Sequence, residues 1–277
     1  MDKDIDFLMS KKQTHQKITM LTCYDYPTAL LEDKAGIDII FVADSVGTNV
    51  LGYESATEVT MENMIHHLKA VRRGVTHAYL LVDMPYKSYD TPKIALENAT
   101  TFLSHGADGV KLEGWSEKEE VIKILAENNI EVCAHIGYNP QIHSRAWTHG
   151  VTFSKAKALI QSALTLENAG AKMIVLEMVS EEVSKIITEK LSIPTIGIGA
   201  GKFCDGQVLV INDMLGITAL DLRHAKKYQN YQNLTFQAIC QYKEEVENGV
   251  FPNEASVVSM DEQKLARVEK WLKGSLS

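Results

Sequence analysis

The chain has 277 residues, of which 45% are hydrophobic and 23% are charged, as expected for a globular protein with one large domain. Its formal net charge of -8 argues against nucleic acid or an anionic membrane as a main partner, because both attract basic surfaces. No apolar stretch approaches the roughly 20 residues that a membrane-spanning helix needs, and the N-terminus lacks the apolar core of a signal peptide. The 4 cysteines are far apart in sequence and have no zinc-binding spacing. We therefore expect a cytoplasmic protein with reduced thiols.

Strands and helices are predicted to alternate along the whole chain, because short apolar runs are separated by longer amphipathic segments with capping signals. Gly36 follows one predicted helix, and Thr91 and Pro92 begin another. Ser116 and Glu119 have the spacing of a capping box. In chain order we predict a strand at 18–22, a helix at 27–35, a strand at 39–43, a helix at 61–73, a strand at 78–82, a helix at 92–103, a strand at 109–112, a helix after Ser116, a strand at 130–134, a helix at 154–168, a strand at 173–176, a helix at 181–191, strands at 194–198 and 207–210, and a helix at 234–249.

This alternation predicts right-handed crossover connections and a parallel sheet. The sheet could close into an eight-stranded barrel or stay open and doubly wound. Chemistry-bearing residues after five different strands favour the (β/α)8 barrel, because an open sheet concentrates its ligand contacts at one switch point. We expect residues 1–277 to form a single barrel domain with a polar N-terminal leader and a C-terminal helical tail.

Five of the predicted strands end on an ionisable side chain or one or two residues before it. In a parallel barrel, the C-terminal strand ends meet at one mouth, so these side chains are expected to converge there and form an active site. They are Asp44, Asp83, Glu113, His135 and Glu177.

Three of these side chains, Asp44, Asp83 and Glu113, are carboxylates that would repel one another without a cation between them. Oxygen ligands without thiolates favour magnesium over zinc. The alternative for each acid is a helix cap or a salt bridge in a loop.

Lys111 and Glu177 have the clearest chemical roles apart from the metal. Lys111 shares a strand face with Glu113, so it either pairs with that acid or anchors a substrate carboxylate. Glu177 is the candidate general acid or base, because an apolar barrel mouth raises the pKa of a carboxyl group. His135 could be a base, a hydrogen-bond donor or a ligand. The glycine-rich stretch 197–201 could cradle a phosphate or simply let a loop approach closely.

Short motifs are spread over roughly residues 18 to 252. They are LTCYDY at 21–26, ADSVG at 43–47, MIHH at 64–67, VRRG at 71–74, VDMP at 82–85, VKLEG at 110–114, AHIG at 134–137, PQ at 140–141, VLE at 175–177, IGIGAG at 196–201 and DGQVLV at 205–210. In their order and spacing these motifs resemble the ketopantoate hydroxymethyltransferase family, and the resemblance is specific.

The resemblance implies a barrel of the phosphoenolpyruvate mutase and isocitrate lyase superfamily. It also implies the family's reaction, which transfers a one-carbon unit from 5,10-methylenetetrahydrofolate to the α-carbon of 3-methyl-2-oxobutanoate. It further implies a homo-oligomer, often a decamer. Carried over by motif, Asp44 and Asp83 would hold Mg2+ with support from Glu113, and Glu177 would accept the proton. The residues implied in binding the 2-oxo acid are Asp44, Ser45, Asp83, Lys111 and His135.

The sequence also departs from the family pattern around the predicted mouth. Residues 144–150 read SRAWTHG where the family carries a glycine-rich stretch, and Trp115 and Tyr138 replace smaller or less polar residues. These changes leave two alternatives open beside the family reaction. One is a paralogue that uses the same chemistry on another 2-oxo acid or electrophile, and the other is a barrel that binds a 2-oxo acid without turning it over.

Overall fold

A computed structural model describes residues 3–142, 147–218 and 222–275. The chain forms two compact units, one ending at Gln229 and the other beginning at Asn230. Within the described residues, no helix is both long enough and apolar enough to cross a bilayer.

The first unit contains a closed barrel of eight parallel strands, which confirms the predicted (β/α)8 class. Each strand pairs with its neighbours in sequence, and the last strand pairs with the first. The strands are β1 (Ile18–Thr22), β2 (Ile39–Val42), β3 (Tyr79–Asp83), β4 (Gly109–Glu113), β5 (Glu131–Gly137), β6 (Met173–Glu177), β7 (Thr195–Ile198) and β8 (Gly206–Leu209).

Helices occupy the predicted crossovers from β1 to β7, and their ends agree with the prediction to within a few residues. The segment expected as a polar leader contains a helix of its own, while the described connection from β7 to β8 has none. The helices of the first unit are α1 (Ile5–Gln13), α2 (Tyr26–Ala35), α3 (Met61–Arg72), α4 (Pro92–Ser104), α5 (Glu119–Glu127), α6 (Phe153–Asn168), α7 (Glu181–Lys190) and α8 (Ile211–Leu215).

The second unit is helical, as predicted for the tail. It contains α9 (Tyr231–Glu247) and α10 (Glu262–Ser275), joined through a short 3-10 turn at Glu254–Ser256.

Several helices begin at a side chain that caps them. Thr60 and Thr91 accept hydrogen bonds from the backbone N–H groups three residues on, which satisfies donors that a helix N-terminus leaves open. The capping box predicted at Ser116 is wrong, because Ser116 begins a 3-10 turn and α5 begins only at Glu119. The carboxylate of Glu117 instead accepts a hydrogen bond from the Trp115 N–H at 2.8 Å.

The strand register sets the height of each site residue in the barrel. Asp83 lies opposite Lys111, Glu113 opposite His135, and Gly137 opposite Glu177. Every residue of β2, β3 and β4 is buried, so these strands are held between the barrel interior and the surrounding helices. Paired residues on neighbouring strands lie roughly 5 Å apart, and the ionisable groups are therefore forced into mutual contact.

Candidate active site

A cavity of about 120 Å³ opens at the C-terminal end of the barrel, and four of the five predicted strand-end residues line it. His135 is not in the wall but lies buried beside two of these acids. The polar lining residues are Thr22, Asp44, Ser45, Asp83, Lys111, Glu113 and Glu177, and the apolar ones are Phe41, Ala43, Pro140, Val175, Ile198, Val208 and Val210.

Lys111 is buried and forms an ion pair with Asp83. Its Nζ lies 2.6 Å from Asp83 Oδ1 and 3.8 Å from Glu113 Oε1, and 5.2 Å from the centre of the Phe41 ring. Burial by itself would lower the pKa of Lys111, but the charges of Asp83, Glu113 and Asp44 outweigh it and raise that pKa. The lysine therefore stays charged, and its nearest carboxylate is Asp83 rather than the predicted Glu113.

Asp44 is buried beside two other acids of the cavity. Its backbone N–H donates to Asp83 Oδ2 at 3.1 Å, and its Oδ2 accepts from Gln141 Nε2 at 2.8 Å. Burial, followed by the charges of Asp83 and Glu113, raises the pKa of Asp44 well above its usual range. This carboxylate is therefore destabilised in its ionised form unless a cation comes close to it.

Glu113, His135 and Glu177 form a row across three adjacent strands. His135 Nδ1 lies 3.3 Å from Glu113 Oε1, and His135 Nε2 lies 3.4 Å from Glu177 Oε2. Neither contact has hydrogen-bond geometry, although both imidazole nitrogens are buried. Burial would raise the pKa of Glu113, but His135 and Lys111 lower it overall. Glu113 is thus the acid of the site that is best stabilised as an anion.

Glu177 differs from the other acids because part of its side chain, 18%, remains exposed to the cavity. Burial is the main cause that raises the pKa of Glu177 to about 7, with the charge of Glu113 adding to it and His135 opposing it. The next residue, Met178, has a φ of 51°, a left-handed conformation that costs free energy for a non-glycine residue. An accessible carboxyl group with a pKa near neutrality can both accept and return a proton.

Ser45 belongs to a short chain of hydroxyl groups on the β1 and β2 side of the cavity. Its Oγ lies 2.9 Å from the Tyr24 hydroxyl, which accepts from Thr22 Oγ1 at 2.9 Å. Thr22 Oγ1 in turn accepts from the N–H of Ile211 at 3.0 Å. The position of the Ser45 hydroxyl is therefore fixed from the barrel wall.

Two of the three predicted metal ligands, Asp44 and Asp83, are placed to bind a divalent cation. Within the described residues, no three histidine, cysteine or acidic side chains are arranged to hold a metal ion. Asp44 and Asp83 are adjacent at the cavity, and no described residue donates a hydrogen bond to Asp44 Oδ1. Glu113 instead faces His135 and the Gln141 N–H. Magnesium commonly binds one or two carboxylates together with waters and substrate, so the Asp44 and Asp83 pair fits it.

Gln141 and Tyr89 support the acids of the site, although neither was predicted as a site residue. Tyr89 donates to Gln141 Oε1, and the Gln141 amide donates to Asp44. The Gln141 N–H also approaches Glu113 Oε2 at 3.3 Å. In the sequence, the polar Gln141 after Pro140 was the only sign of these hydrogen bonds to the acids.

The glycine-rich stretch 197–201 allows close approach to the segment after Glu177. A Cβ on Gly199 would lie 2.6 Å from Met178 Sδ, and one on Gly201 would lie 2.5 Å from Glu181 Cγ. Both glycines have positive φ. Of the two interpretations, the structure supports close packing of the loop.

The departures from the family pattern lie near Glu177 as far as the structure describes them. Residues 144–146 lie outside the described part of the chain. Trp115, Tyr138 and Trp147 follow β4 and β5, and they do not line the 120 Å³ cavity.

A closed parallel barrel with an ion-paired lysine and an accessible, high-pKa acid at its C-terminal mouth defines an enzyme acting on a small molecule. Comparison with known proteins identifies the family. A sequence model described as ketopantoate hydroxymethyltransferase matches residues 3–254. The chain is 48% identical over 255 residues to a protein from Thermotoga neapolitana named 3-methyl-2-oxobutanoate hydroxymethyltransferase, covering 90% of this chain and 94% of that one. The chain belongs to the ketopantoate hydroxymethyltransferase family and is a transferase.

Solved structures with low sequence identity share the fold. Phosphonopyruvate hydrolase in a complex with oxalate and Mg2+ is 12% identical, with a TM-score of 0.63, over 99% of this chain and 98% of that one. 2,3-Dimethylmalate lyase, described as a PEP mutase/isocitrate lyase superfamily member, is 12% identical, with a TM-score of 0.59, over 100% and 99%. These likenesses show the fold, a closed (β/α)8 barrel.

Proposed function

We propose that this enzyme adds a one-carbon unit from 5,10-methylenetetrahydrofolate to the α-carbon of 3-methyl-2-oxobutanoate and so forms 2-dehydropantoate. The names of its relatives support the acid substrate. The observation that carries the proposal is the placement of Glu177, whose pKa is raised to about 7, at the open side of a small cavity with a buried lysine.

The cavity suits a short branched 2-oxo acid. Its volume of about 120 Å³ limits the substrate to a few heavy atoms, and one part of its wall is apolar. Phe41, Val175 and Val208 would contact the isopropyl group, while Ser45 and Lys111 would bind the oxygens of the acid. Lys111 remains charged at neutral pH, so it supplies fixed positive charge to the substrate carboxylate.

Asp44 and Asp83 would hold a divalent cation, and magnesium suits their oxygen donors. When bound, the cation would polarise the keto and carboxylate oxygens of the acid. The fold neighbour named with oxalate and Mg2+ supports this assignment by analogy, since oxalate is also a small dicarbonyl anion. Glu113 would not bind the cation directly, and its carboxylate would place negative charge beside His135, whose Nδ1 lies 3.3 Å from Glu113 Oε1.

Glu177 would remove the proton from the α-carbon of the bound acid. A base whose pKa is about 7 is half ionised near neutral pH, which balances its availability against its strength. Water would convert the methylene group of 5,10-methylenetetrahydrofolate to formaldehyde and release tetrahydrofolate. The deprotonated α-carbon would then attack the formaldehyde carbon, and the neutral Glu177 carboxyl group would give its proton to the resulting alkoxide, which becomes the hydroxyl group of 2-dehydropantoate. Both proton transfers involve the same exposed carboxyl oxygen atoms.

The alternative of a changed 2-oxo acid is less well supported. It rested on the bulky residues Trp115, Tyr138 and Trp147, and the cavity is lined by other side chains. Among the described residues, these aromatic side chains are not part of the cavity lining, which favours 3-methyl-2-oxobutanoate as the acid.

The proposal is tested by hydrogen exchange at the α-carbon. Purified enzyme with Mg2+ is incubated with 3-methyl-2-oxobutanoate in deuterated water, and loss of the α-proton signal is followed by NMR. We expect exchange that Glu177→Gln reduces by about 10²- to 10⁴-fold, the usual contribution of a general base. Exchange that is absent in the wild type with Mg2+ bound, or that persists in Glu177→Gln, would contradict the proposed substrate or the proposed base. Folate-dependent turnover would exclude a barrel that only binds the acid.

A further inference from the structure

Four aromatic side chains form a cluster beside Glu177 that the acid pocket does not use. We call Trp115, Tyr138, Trp147 and His149 the mouth cluster. The rings of Trp147 and His149 stack with centres 5.0 Å apart and planes 25° apart. Trp115 meets His149 edge-on at 6.1 Å, and Tyr138 meets Trp147 edge-on at 6.4 Å. Trp147 is nevertheless 42% exposed, so the cluster presents aromatic surface to solvent.

Backbone hydrogen bonds fasten the mouth cluster to the strand end that carries Glu177. The Tyr138 N–H donates to the Glu177 carbonyl at 2.8 Å, and the His149 N–H donates to the Met178 carbonyl at 2.6 Å. The Ser180 N–H donates to the His149 carbonyl at 2.9 Å. Tyr138 and His149 are thus tied by backbone hydrogen bonds to the segment that carries the candidate base, and Trp115, which follows β4, contacts the cluster through His149.

Tyr138 directly follows Gly137, which lies opposite Glu177 in the strand register. Burial, followed by the charges of Glu177 and Glu113, raises the pKa of the Tyr138 hydroxyl. An aromatic group bound on the cluster would therefore lie within reach of the groups that act on the α-carbon.

The size of the cavity explains why a second substrate needs another surface. A space of about 120 Å³ accommodates a short acid but not a fused two-ring heterocycle as well. The electrophilic carbon must still approach the α-carbon through the open side, next to Glu177. Planar heteroaromatic groups gain free energy by stacking on exposed aromatic side chains.

We propose that the mouth cluster is the binding surface for the pteridine ring of the one-carbon donor, with Trp147 as its main stacking residue. This inference rests on the proposed function, because it takes the donor to be a folate. It assigns the aromatic departures from the family pattern to donor binding rather than to selection of the acid.

The test separates donor binding from chemistry on the acid. Trp147→Ala should raise the KM for 5,10-methylenetetrahydrofolate about tenfold, as expected for loss of one stacking contact. Trp147→Phe should restore most of the affinity. The KM for 3-methyl-2-oxobutanoate and the folate-independent α-proton exchange should stay within about twofold of wild type. Phe203→Ala is the matched control, because Phe203 is similarly exposed at 38% but lies beside Lys185 and Lys202, away from the cavity lining.

Direct binding distinguishes failure of this inference from failure of the proposed function. Tetrahydrofolate, titrated into the full-length protein, should quench tryptophan fluorescence and bind about tenfold more weakly to Trp147→Ala than to Phe203→Ala. If wild type exchanges the α-proton but binds tetrahydrofolate no better than Trp147→Ala does, the mouth cluster is loop packing only. If tetrahydrofolate binds through Trp147 but no exchange occurs, the cluster assignment stands and the proposed acid substrate is wrong.

Discussion

The pH dependence of α-proton exchange is the most direct consequence of the site geometry. Glu177 must be ionised to remove a proton, and its pKa is raised to about 7, chiefly by burial. The rate should therefore rise as pH increases through 7 and level off above it. The rate rises with pH because Glu177 acts as a base. A general acid with the same pKa would lose activity over this range.

The magnitude follows from the ionised fraction. With a pKa of about 7, roughly a tenth of Glu177 is ionised at pH 6 and roughly nine tenths at pH 8. The exchange rate at saturating 3-methyl-2-oxobutanoate and a low concentration of Mg2+ should therefore increase about tenfold between these two values. A carboxyl group at its ordinary pKa would be almost fully ionised throughout, and the profile would be flat.

His135 allows the position of this profile to be shifted by design. The charge of His135 lowers the pKa of Glu177, against the opposing effects of burial and Glu113. His135→Gln should therefore move the midpoint to higher pH, while His105→Gln, a change at the end of α4, should leave it in place. Exchange would be followed by NMR from pH 5.5 to 9. A flat profile, or an identical midpoint in His135→Gln, would refute the assignment of Glu177 as the base.

Three further changes test the rest of the site. Asp44→Asn should raise the Tm of the cation-free protein, because it removes a carboxylate that its neighbours destabilise. It should also abolish the increase in Tm that Mg2+ gives the wild type. An unchanged response to Mg2+ would exclude Asp44 as a ligand. Lys111→Met should lower the free energy of unfolding in denaturant by about 3–5 kcal/mol, because it leaves Asp83 buried without its partner. Adding Asp83→Asn to Lys111→Met should recover part of the lost free energy. Full additivity of the two changes would contradict the ion pair. Gly137→Ala should abolish exchange, because its Cβ would lie 2.1 Å from the Glu177 carbonyl oxygen. Gly36→Ala, whose Cβ would have nothing within 4 Å, should lower the free energy of unfolding by only about 1 kcal/mol and keep activity. Equal effects of the two changes would refute the steric argument.

The barrel and the convergence of the strand-end residues could be predicted because both depend on local pattern. An apolar run that stops at an acid places that acid at the C-terminal end of its strand, and parallel pairing brings such ends together. Asp83, Glu113 and Glu177 are the last residues of their strands, as the pattern indicated. His135 lies two residues before the end of β5, which explains why it is buried between two acids rather than in the cavity wall.

Contacts between segments distant in the chain could not be predicted in this way. Gln141 donates to Asp44 across 97 positions of sequence, and nothing near either residue encodes that pairing. The partner of Lys111 depends on register between two strands, which places Asp83 nearer than the Glu113 of its own strand. The mouth cluster likewise depends on the hydrogen bond from the His149 N–H to the Met178 carbonyl, which no local pattern indicates.

The balance of charge in the cavity explains how four carboxyl groups divide their roles. Among the described residues that line the cavity, Lys111 is the one cation, and it pairs with Asp83 at 2.6 Å. The ionisation of the other three acids therefore depends on their burial and on the charges next to them. Glu113 has a lowered pKa and stays ionised, whereas Asp44 has a pKa raised well above its usual range and gains most from a cation. Glu177 lies between these extremes and alone combines a pKa of about 7 with an exposed edge. A cation at Asp44 would relieve the repulsion within the site and lower the pKa of Glu177, so raising the concentration of Mg2+ should shift the exchange profile to lower pH.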